Sequence, residues 1–177
     1  TPVGMFSLEM SKVQILERIM FGQSGIDPMA LRRGQKLTTY QQGAFTGAVR
    51  RIKGISFFVD DRPALRIDQI QATARRMVAD HGVRCIGVDY LQLANPSSRG
   101  ASREREVSEI SAGLKAMAKE LNIPVIVLAQ LNREVEKRAG KDAGVPRVSD
   151  LRDSGSIEQD ADQIMLLYRP SASDRDA

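Results

Sequence analysis

Cysteine and histidine are almost absent from the sequence: Cys85 and His81 are the single examples of each among 177 residues. One cysteine cannot form an internal disulfide, so a reducing, cytoplasmic setting is expected. The absence of any Cys/His cluster removes the basis for a zinc site. His81 precedes Gly82, a typical helix-stop residue, and is expected to be a solvated residue at a helix end.

Long apolar runs and strong charge of one sign are also missing. No apolar stretch approaches the ~20 residues that a bilayer-spanning helix needs, so no membrane span is expected. The net charge is only +4, and the 26 basic residues are mostly interleaved with the 22 acidic ones. This mild positive charge is compatible with nucleic-acid binding but does not by itself indicate it.

What the sequence contains is the alternation of strands and helices that is typical of an α/β domain. Short apolar runs alternate with amphipathic segments of helical periodicity, which predicts a mostly parallel sheet flanked by helices. Strands are predicted at 3–8, 55–59, 85–88, 124–129 and 163–168, and helices at 11–21, 28–33, 38–53, 66–81 and 103–121.

The same patterns predict which residues are buried. The strand at 85–88 is expected to be buried on both faces, as is usual in parallel sheets, and the strand at 124–129 has a similar pattern. The apolar stripe of the first helix comprises Val13, Leu16, Ile19 and Met20, which recur at helical spacing. The charge-dense segment 131–149 is expected to be a functional or disordered loop.

The chain length fits one domain. Residues 1–170 are predicted to form that domain and residues 171–177 a polar tail. Residues 1–4 contain no initiator methionine and no signal-peptide pattern, and they lead directly into a strand. The chain is therefore expected to be part of a longer protein.

Polar residues stand at the ends of three predicted strands: Glu9 follows the first, Asp89 ends the third and Gln130 ends the fourth. Because parallel strands bring their carboxyl ends to one edge of a sheet, the three are expected to share the edge at which α/β proteins bind ligands. Triphosphate hydrolysis requires carboxylates that hold Mg²⁺ and activate water, and a neutral group near the terminal phosphate. The alternative is that these residues only end strands, as polar residues do in every α/β protein.

Four sequence blocks resemble the RecA-like motor domain of DnaB-type replicative helicases. They are FSLEM at 6–10, VDYLQL at 88–93, LAQLNREVEKR at 128–138 and SDLRDSGSIEQDAD at 149–162. The blocks occur in the family's order and at its approximate spacing, and the likeness extends through nearly the whole chain. It implies a RecA-like P-loop NTPase core and, in the full-length parent, an ATP-dependent DNA helicase that uses ATP and Mg²⁺.

The resemblance assigns roles to the three strand-end residues. Asp89 matches the Walker B aspartate that coordinates Mg²⁺ through water. Glu9 matches the catalytic glutamate that orients the attacking water. Gln130 matches the residue that links the state of the γ-phosphate to the DNA-binding loops.

Arg152, Asp153 and Gly155 match the family's loop along the phosphate backbone of single-stranded DNA. An arginine supplies positive charge, and glycine permits close approach of a backbone amide donor. Asp153 can contact DNA only through its backbone amide, and the alternative for Arg152 is a surface ion pair with Asp150 or Asp153. The family also implies a homo-oligomeric, hexameric ring, with a primase and a helicase loader as partners.

Two family motifs are missing from this sequence. The phosphate-binding loop G-x-x-x-x-G-K-[ST] occurs nowhere in it, and neither Arg169 nor Arg175 matches the arginine finger. The core is therefore expected to be truncated at both ends, with unpaired strand edges and an apolar gap beside the strand at 124–129. We expect that the 177-residue chain alone neither binds ATP tightly nor hydrolyses it; robust Mg²⁺-dependent hydrolysis would contradict this.

Two other functions stay open at this point. One is a RecA-like ATPase of the recombinase or circadian-clock (KaiC-like) type, which the SDLRDSGSIEQDAD block disfavours. The other is a degenerate, non-catalytic assembly module. The presence of Glu9, Asp89 and Gln130 argues against such a module, since a decayed site need keep none of them.

Overall fold

The computed structural model describes residues 1–97, 102–132, 135, 138, 144–151 and 155–168. The predicted polar tail at 171–177 lies outside these described residues, as does part of the charge-dense segment 131–149.

Within the described residues, the core of the fold is a four-stranded parallel sheet, and the alternating pattern had predicted a parallel sheet. The strands are β1 (Val3–Ser7), β2 (Phe57–Asp60), β3 (Ile86–Asp89) and β4 (Val125–Val127). They lie in the order β2-β1-β3-β4 and every neighbouring pair is parallel. Each connection therefore crosses over through helical structure, which is the arrangement that parallel strands require.

The helices begin and end close to their predicted limits. Ser11 and Asp27 accept hydrogen bonds from the first-turn amides of the helices that they precede, and Asn122, in the left-handed conformation with φ 52°, ends the longest helix. A short helix near the end of the described chain was not predicted. The helices are α1 (Lys12–Ser24), α2 (Pro28–Arg32), α3 (Thr39–Lys53), α4 (Ile67–His81), α5 (Arg103–Leu121) and α6 (Gly155–Asp160), with 3-10 turns at Leu91–Leu93 and Val148–Asp150.

The hydrophobic core lies where α4 and α5 pack against each other and against the sheet. Phe6 of β1, Ile86 of β3, Ile70 of α4 and Ile110 of α5 are all fully buried. Burial of four such side chains removes a large apolar area from water, which is the main source of stability for a fold of this kind.

The second face of the sheet is less covered than the sequence predicted. In β3 only Ile86 and Val88 are buried, while the alternate residues are half-buried, so burial on both faces was wrong. In β4, Ile126 is 54% exposed. Two features account for this exposure. β4 is the edge strand of the described sheet, and α4 and α5 cover the face opposite to the side chain of Ile126.

The strand predicted at 163–168 is also absent from the described sheet. This segment carries the strongly exposed Met165 and Leu167. A strand is defined by the backbone hydrogen bonds to a neighbour, and an apolar pattern alone does not supply that neighbour.

The buried face of α1 differs from the predicted stripe. Ile15 is its buried residue, whereas Val13 is 58% exposed and Leu16 is also exposed. The difference arises because α1 packs against α3, where the rings of Phe21 and Phe45 lie 6.0 Å apart.

Of the two rare residues, His81 lies where the sequence predicted, whereas Cys85 is less buried than predicted and precedes β3. His81 is the last residue of α4 and is exposed, and its ring stacks on Phe58 at 4.3 Å. Cys85 is a free cysteine and is half-buried. Among the helices of the described residues, none combines the length and hydropathy needed to cross a membrane.

Candidate functional site

The carboxyl ends of β1 and β3 hold the two predicted catalytic carboxylates side by side in the sheet. Ser7 pairs with Asp89 in the β1–β3 register, and the Leu8 amide donates to the Asp89 carbonyl at 2.7 Å. Glu9 follows directly and is exposed. The pairing therefore places Glu9 one residue beyond a backbone that is hydrogen-bonded to that of Asp89.

Asp89 is the last residue of β3 and is half-buried. The peptide bond that joins it to Tyr90 is cis. The chain then enters the 3-10 turn, where Leu91 is 2% exposed and anchors the turn in the core. The position of Asp89 is thus fixed from both sides, by the sheet before it and by a buried leucine after it.

Gln130 reaches the same edge through continued pairing of β3 and β4. The Leu128 amide donates to the Val88 carbonyl at 3.0 Å, and the Leu91 amide donates to the Leu128 carbonyl at 2.9 Å. Gln130 lies two residues further on and is exposed. The structure therefore brings Glu9, Asp89 and Gln130 to one edge of three adjacent strands.

The acidic residues of this edge divide into two groups. Asp60, at the end of β2, binds the Arg62 guanidinium through both oxygens, and this hydrogen bonding lowers the pKa of the Asp60 carboxyl. Asp61 accepts from the Lys12 amide at 2.9 Å and caps α1. The carboxylates of Asp60 and Asp61 therefore already have hydrogen-bond partners within the protein.

The side chains of Glu9 and Asp89 form no hydrogen bond or ion pair within the described part of the chain. The half-buried carboxylate of Asp89 is open to solvent on one side, so its polar partner can come from outside the chain. An external cation or a bound water would provide that partner. Unlike Asp60 and Asp61, Glu9 and Asp89 are therefore available to an external partner.

The donor set fits magnesium better than a metal held by protein alone. Within the described ranges, no group of three or more His, Cys, Asp or Glu side chains is close enough to hold a metal ion. Mg²⁺ keeps several waters and is usually bound by one or two carboxylates together with substrate phosphates. Asp89, with Glu9 nearby, meets that requirement.

The segment that follows Gln130 is tied to the block predicted to bind DNA. Leu131 and Leu151 form an antiparallel bridge, and the Asn132 amide donates to the Asp150 carbonyl at 2.8 Å. This bridge places Gln130 one residue away from a contact with the residue that precedes Arg152.

The predicted DNA-binding residues are only partly described. Arg152 and Asp153 lie outside the described residues, and Gly155 is exposed at the first position of α6. Asp150, one alternative partner for Arg152, is bound by Arg138, whose Nη2 lies 2.5 Å from its Oδ1.

Sequence reasoning missed the contacts of two residues near the site. The side-chain amide of Gln92 contacts both backbone groups of Gln130, and Asp150 is 8% exposed and ion-paired with Arg138. Gln92 lies within the VDYLQL block and Asp150 within the SDLRDSGSIEQDAD block. Their presence in these blocks was the only available signal, because their partners are distant in sequence.

The parallel order, the crossover helices and the polar carboxyl edge define the class of RecA-like ATPase domains. Two solved structures support this class. The chain matches a structure described as an ATPase domain with a TM-score of 0.90 and 34% identity, covering 99% of this chain and 62% of that one. It also matches a structure described as a DnaB-like replicative helicase and its interactions with primase, with a TM-score of 0.83, 33% identity, and coverage of 91% and 38%.

The chain belongs to the family of DnaB-like helicase C-terminal domains, whose model matches residues 1–177. It is 48% identical to the replicative DNA helicase DnaB of Rickettsia bellii, over 97% of this chain and 36% of that protein. It is 44% identical to DnaB of Geobacillus stearothermophilus, over 99% and 38%. The chain thus spans just over a third of the length of these relatives, and membership selects the helicase over the other RecA-like ATPases considered above.

Proposed function

We propose that this chain forms part of a replicative helicase motor that couples ATP hydrolysis to movement along single-stranded DNA and to duplex unwinding. The observation that carries the proposal is the pair of carboxylates, Glu9 and Asp89, that end adjacent strands and have no partner within the described part of the chain. Family membership supports the proposed reaction, and the position of these carboxylates supports the choice of residues.

Each residue of the edge has a proposed role. Asp89 would hold Mg²⁺ through water, and bound Mg²⁺ would neutralise charge on the phosphate oxygens. Glu9, exposed beside it, would orient the attacking water and accept its proton. Gln130 would contact the terminal phosphate through its neutral amide.

The DNA contacts are proposed for Arg152, Asp153 and Gly155. The arginine would bind phosphate by charge, and the other two would donate backbone amides. Support comes from the Leu131–Leu151 bridge, which connects the segment after Gln130 to the start of this loop. A change at the terminal phosphate would then be transmitted from Gln130 to the DNA contact through the β-bridge between Leu131 and Leu151.

The proposed assembly is a homo-oligomeric ring, with six subunits as in the family. In such a ring, a neighbouring subunit completes each nucleotide site with an arginine. A primase and a helicase loader are the proposed protein partners. One of the similar solved structures is described with its interactions with primase, which is consistent with that partner.

The test is to replace Glu9→Gln and Asp89→Asn separately in the complete gene product that contains this chain. Each change keeps the size of the side chain and removes its negative charge. We expect steady-state ATP hydrolysis with single-stranded DNA to fall by at least ~100-fold, the usual contribution of a general base or metal-positioning group.

The matched controls are Glu17→Gln on α1 and Asp80→Asn on α4, which remove charge from exposed helix positions. Both should hydrolyse ATP within about twofold of the unchanged protein. Near-normal hydrolysis by the Glu9→Gln and Asp89→Asn variants would refute the proposed roles and would favour a non-catalytic assembly module.

A further inference from the structure

Gln92 connects the backbone of Gln130 to the segment that follows Asp89. The Gln130 amide donates to Gln92 Oε1 at 3.2 Å, and Gln92 Nε2 donates to the Gln130 carbonyl at 3.3 Å. One side chain therefore satisfies both backbone hydrogen-bonding groups of the proposed phosphate-contacting residue.

The geometry explains why an amide side chain is suited to this position. The β3–β4 pairing ends at Val88 and Val127, and two further backbone hydrogen bonds extend it to Leu128. Beyond that point the backbones no longer pair directly. A carboxamide carries one donor and one acceptor at its end, so it can replace the backbone of a neighbouring strand. Gln92 thereby continues the pairing of β3 and β4 as far as Gln130.

Gln92 is itself held firmly enough to act as a fixed point. The preceding Leu91 is buried in the core. The Gln92 carbonyl accepts from Arg103 Nη2 at 2.6 Å, and Arg103 also pairs with Glu106 on α5. The side chain that contacts Gln130 therefore projects from a backbone tied to both the core and α5.

We propose that Gln92 is a positioning residue that holds Gln130 in place beside Asp89. On one side Gln130 is fixed by Gln92; on the other, Leu131 pairs with Leu151. This inference rests on the proposed function, in which Gln130 contacts the terminal phosphate. Loss of the Gln92 contact should weaken the coupling between DNA binding and hydrolysis, because Gln130 is no longer held between its two attachments.

The experiment compares Gln92→Glu with Gln92→Leu in the complete gene product. The first variant keeps the size but places an oxygen against the Gln130 carbonyl; the second removes both hydrogen bonds without adding charge. We expect the kcat for ATP with single-stranded DNA to fall by roughly tenfold in both, with KM for ATP changed by less than about threefold. The ratio of DNA-stimulated to unstimulated hydrolysis should fall with kcat.

Gln71→Glu is the matched control, because Gln71 Nε2 also donates to a backbone carbonyl, that of Gly113, at 2.9 Å. It makes the same chemical change between α4 and α5, away from the carboxyl edge. It should keep DNA-stimulated kcat within about twofold. A loss that followed protein stability alone would appear in this control as well.

A double-mutant cycle with Gln130→Ala tests whether Gln92 acts through Gln130. If it does, Gln92→Glu should lower kcat by less than about twofold once the Gln130 side chain is gone, so the two changes are not additive. Additive losses would overturn the inference, as would normal kinetics of both Gln92 variants. An effect confined to Gln92→Glu would also overturn it, because introduced charge would then be the cause.

The outcomes separate this inference from the proposed function. If Glu9→Gln abolishes hydrolysis and Gln130→Ala lowers DNA stimulation while the Gln92 variants behave normally, only the positioning role fails. If the Glu9→Gln variant hydrolyses ATP at a normal rate, the proposed function itself is wrong, whatever the Gln92 variants show.

Discussion

At the scale of single residues, Asp150 shows how one buried carboxylate organises a loop. It is 8% exposed, its Oδ1 pairs with Arg138, and its Oδ2 accepts from the Arg147 amide at 2.7 Å. Arg138 also donates to the Val145 carbonyl at 2.9 Å. The hydrogen bond from Arg138 lowers the pKa of the Asp150 carboxyl below its ordinary value of 3.8. The ion pair thus connects Arg138 to the segment 144–151.

Asp150→Asn should destabilise the protein, because it removes the charge that Arg138 faces in a buried setting. A lowered folded-state pKa means that the stabilisation is fully present above pH 3.8 and is lost as the pH falls further. Urea unfolding of the wild-type chain and the variant should therefore differ most near neutral pH and converge in acid.

Asp68→Asn is the control for this prediction. Asp68 pairs with Arg66, and both side chains are about half exposed. Exposed pairs contribute little. Equal effects of Asp68→Asn and Asp150→Asn, or a difference that persists unchanged in acid, would show that the Arg138 contact does not stabilise the loop.

At the scale of secondary-structure elements, the contact of α4 with α5 depends on one glycine. A Cβ atom placed on Gly113 of α5 would meet the Ile67 side chain of α4 closer than any real contact allows. Ile67 is 4% exposed, so a shift of its side chain would disturb the packed core around it. The small residue therefore sets the distance between the two helices that cover the sheet.

Gly113→Ala should destabilise the fold by about 1–3 kcal/mol, the usual cost of overpacking a core, despite the better helix propensity of alanine. The control is Gly43→Ala in α3, where an added Cβ would meet nothing within 4 Å. That change should stabilise the protein by ~0.5–1 kcal/mol. Denaturant unfolding measures both. A stabilising Gly113→Ala would mean that the helices move apart without cost.

At the scale of the whole molecule, the two faces of the sheet differ in how well helices cover them, and this difference affects self-association. One face is covered by α4 and α5, whereas β4 lies at the edge of the described sheet and its Ile126 is exposed. Met165 and Leu167 add further exposed apolar area. Exposed apolar edges promote association between chains.

Ile126→Lys should reduce self-association of the 177-residue chain, because a charge on an edge strand opposes strand pairing. Stability should change by less than about 0.5 kcal/mol, as is usual for exposed sites. Sedimentation velocity over a range of concentrations measures the effect. Ile55→Lys is the matched control, since Ile55 is 56% exposed and lies before β2, on the far side of the sheet. An equal reduction by both changes would mean that added charge, not the β4 edge, is responsible.

The local features of the fold could be predicted from the sequence. A cap such as Ser11 or Asp27 and a stop such as Gly82 depend only on residues within one or two helical turns. The presence of Glu9 and Asp89 on one edge followed from the parallel direction of their strands alone. Two predictions were wrong: the burial of Val13 and Leu16, and the strand at 163–168. Burial and strand pairing depend on which element packs alongside, and the local sequence does not specify that neighbour.

The sequence by itself determined the order of strands and helices and the residue types at the carboxyl edge, because these follow from short-range patterns and chain direction. The tertiary structure alone decided that Gln92 holds Gln130, 38 residues away, and that Arg138 pairs with Asp150, 12 residues away. It also decided that β4 lies at the edge of the sheet formed by the described residues. Contacts between residues so far apart are set by how the elements pack together, and no local pattern specifies them.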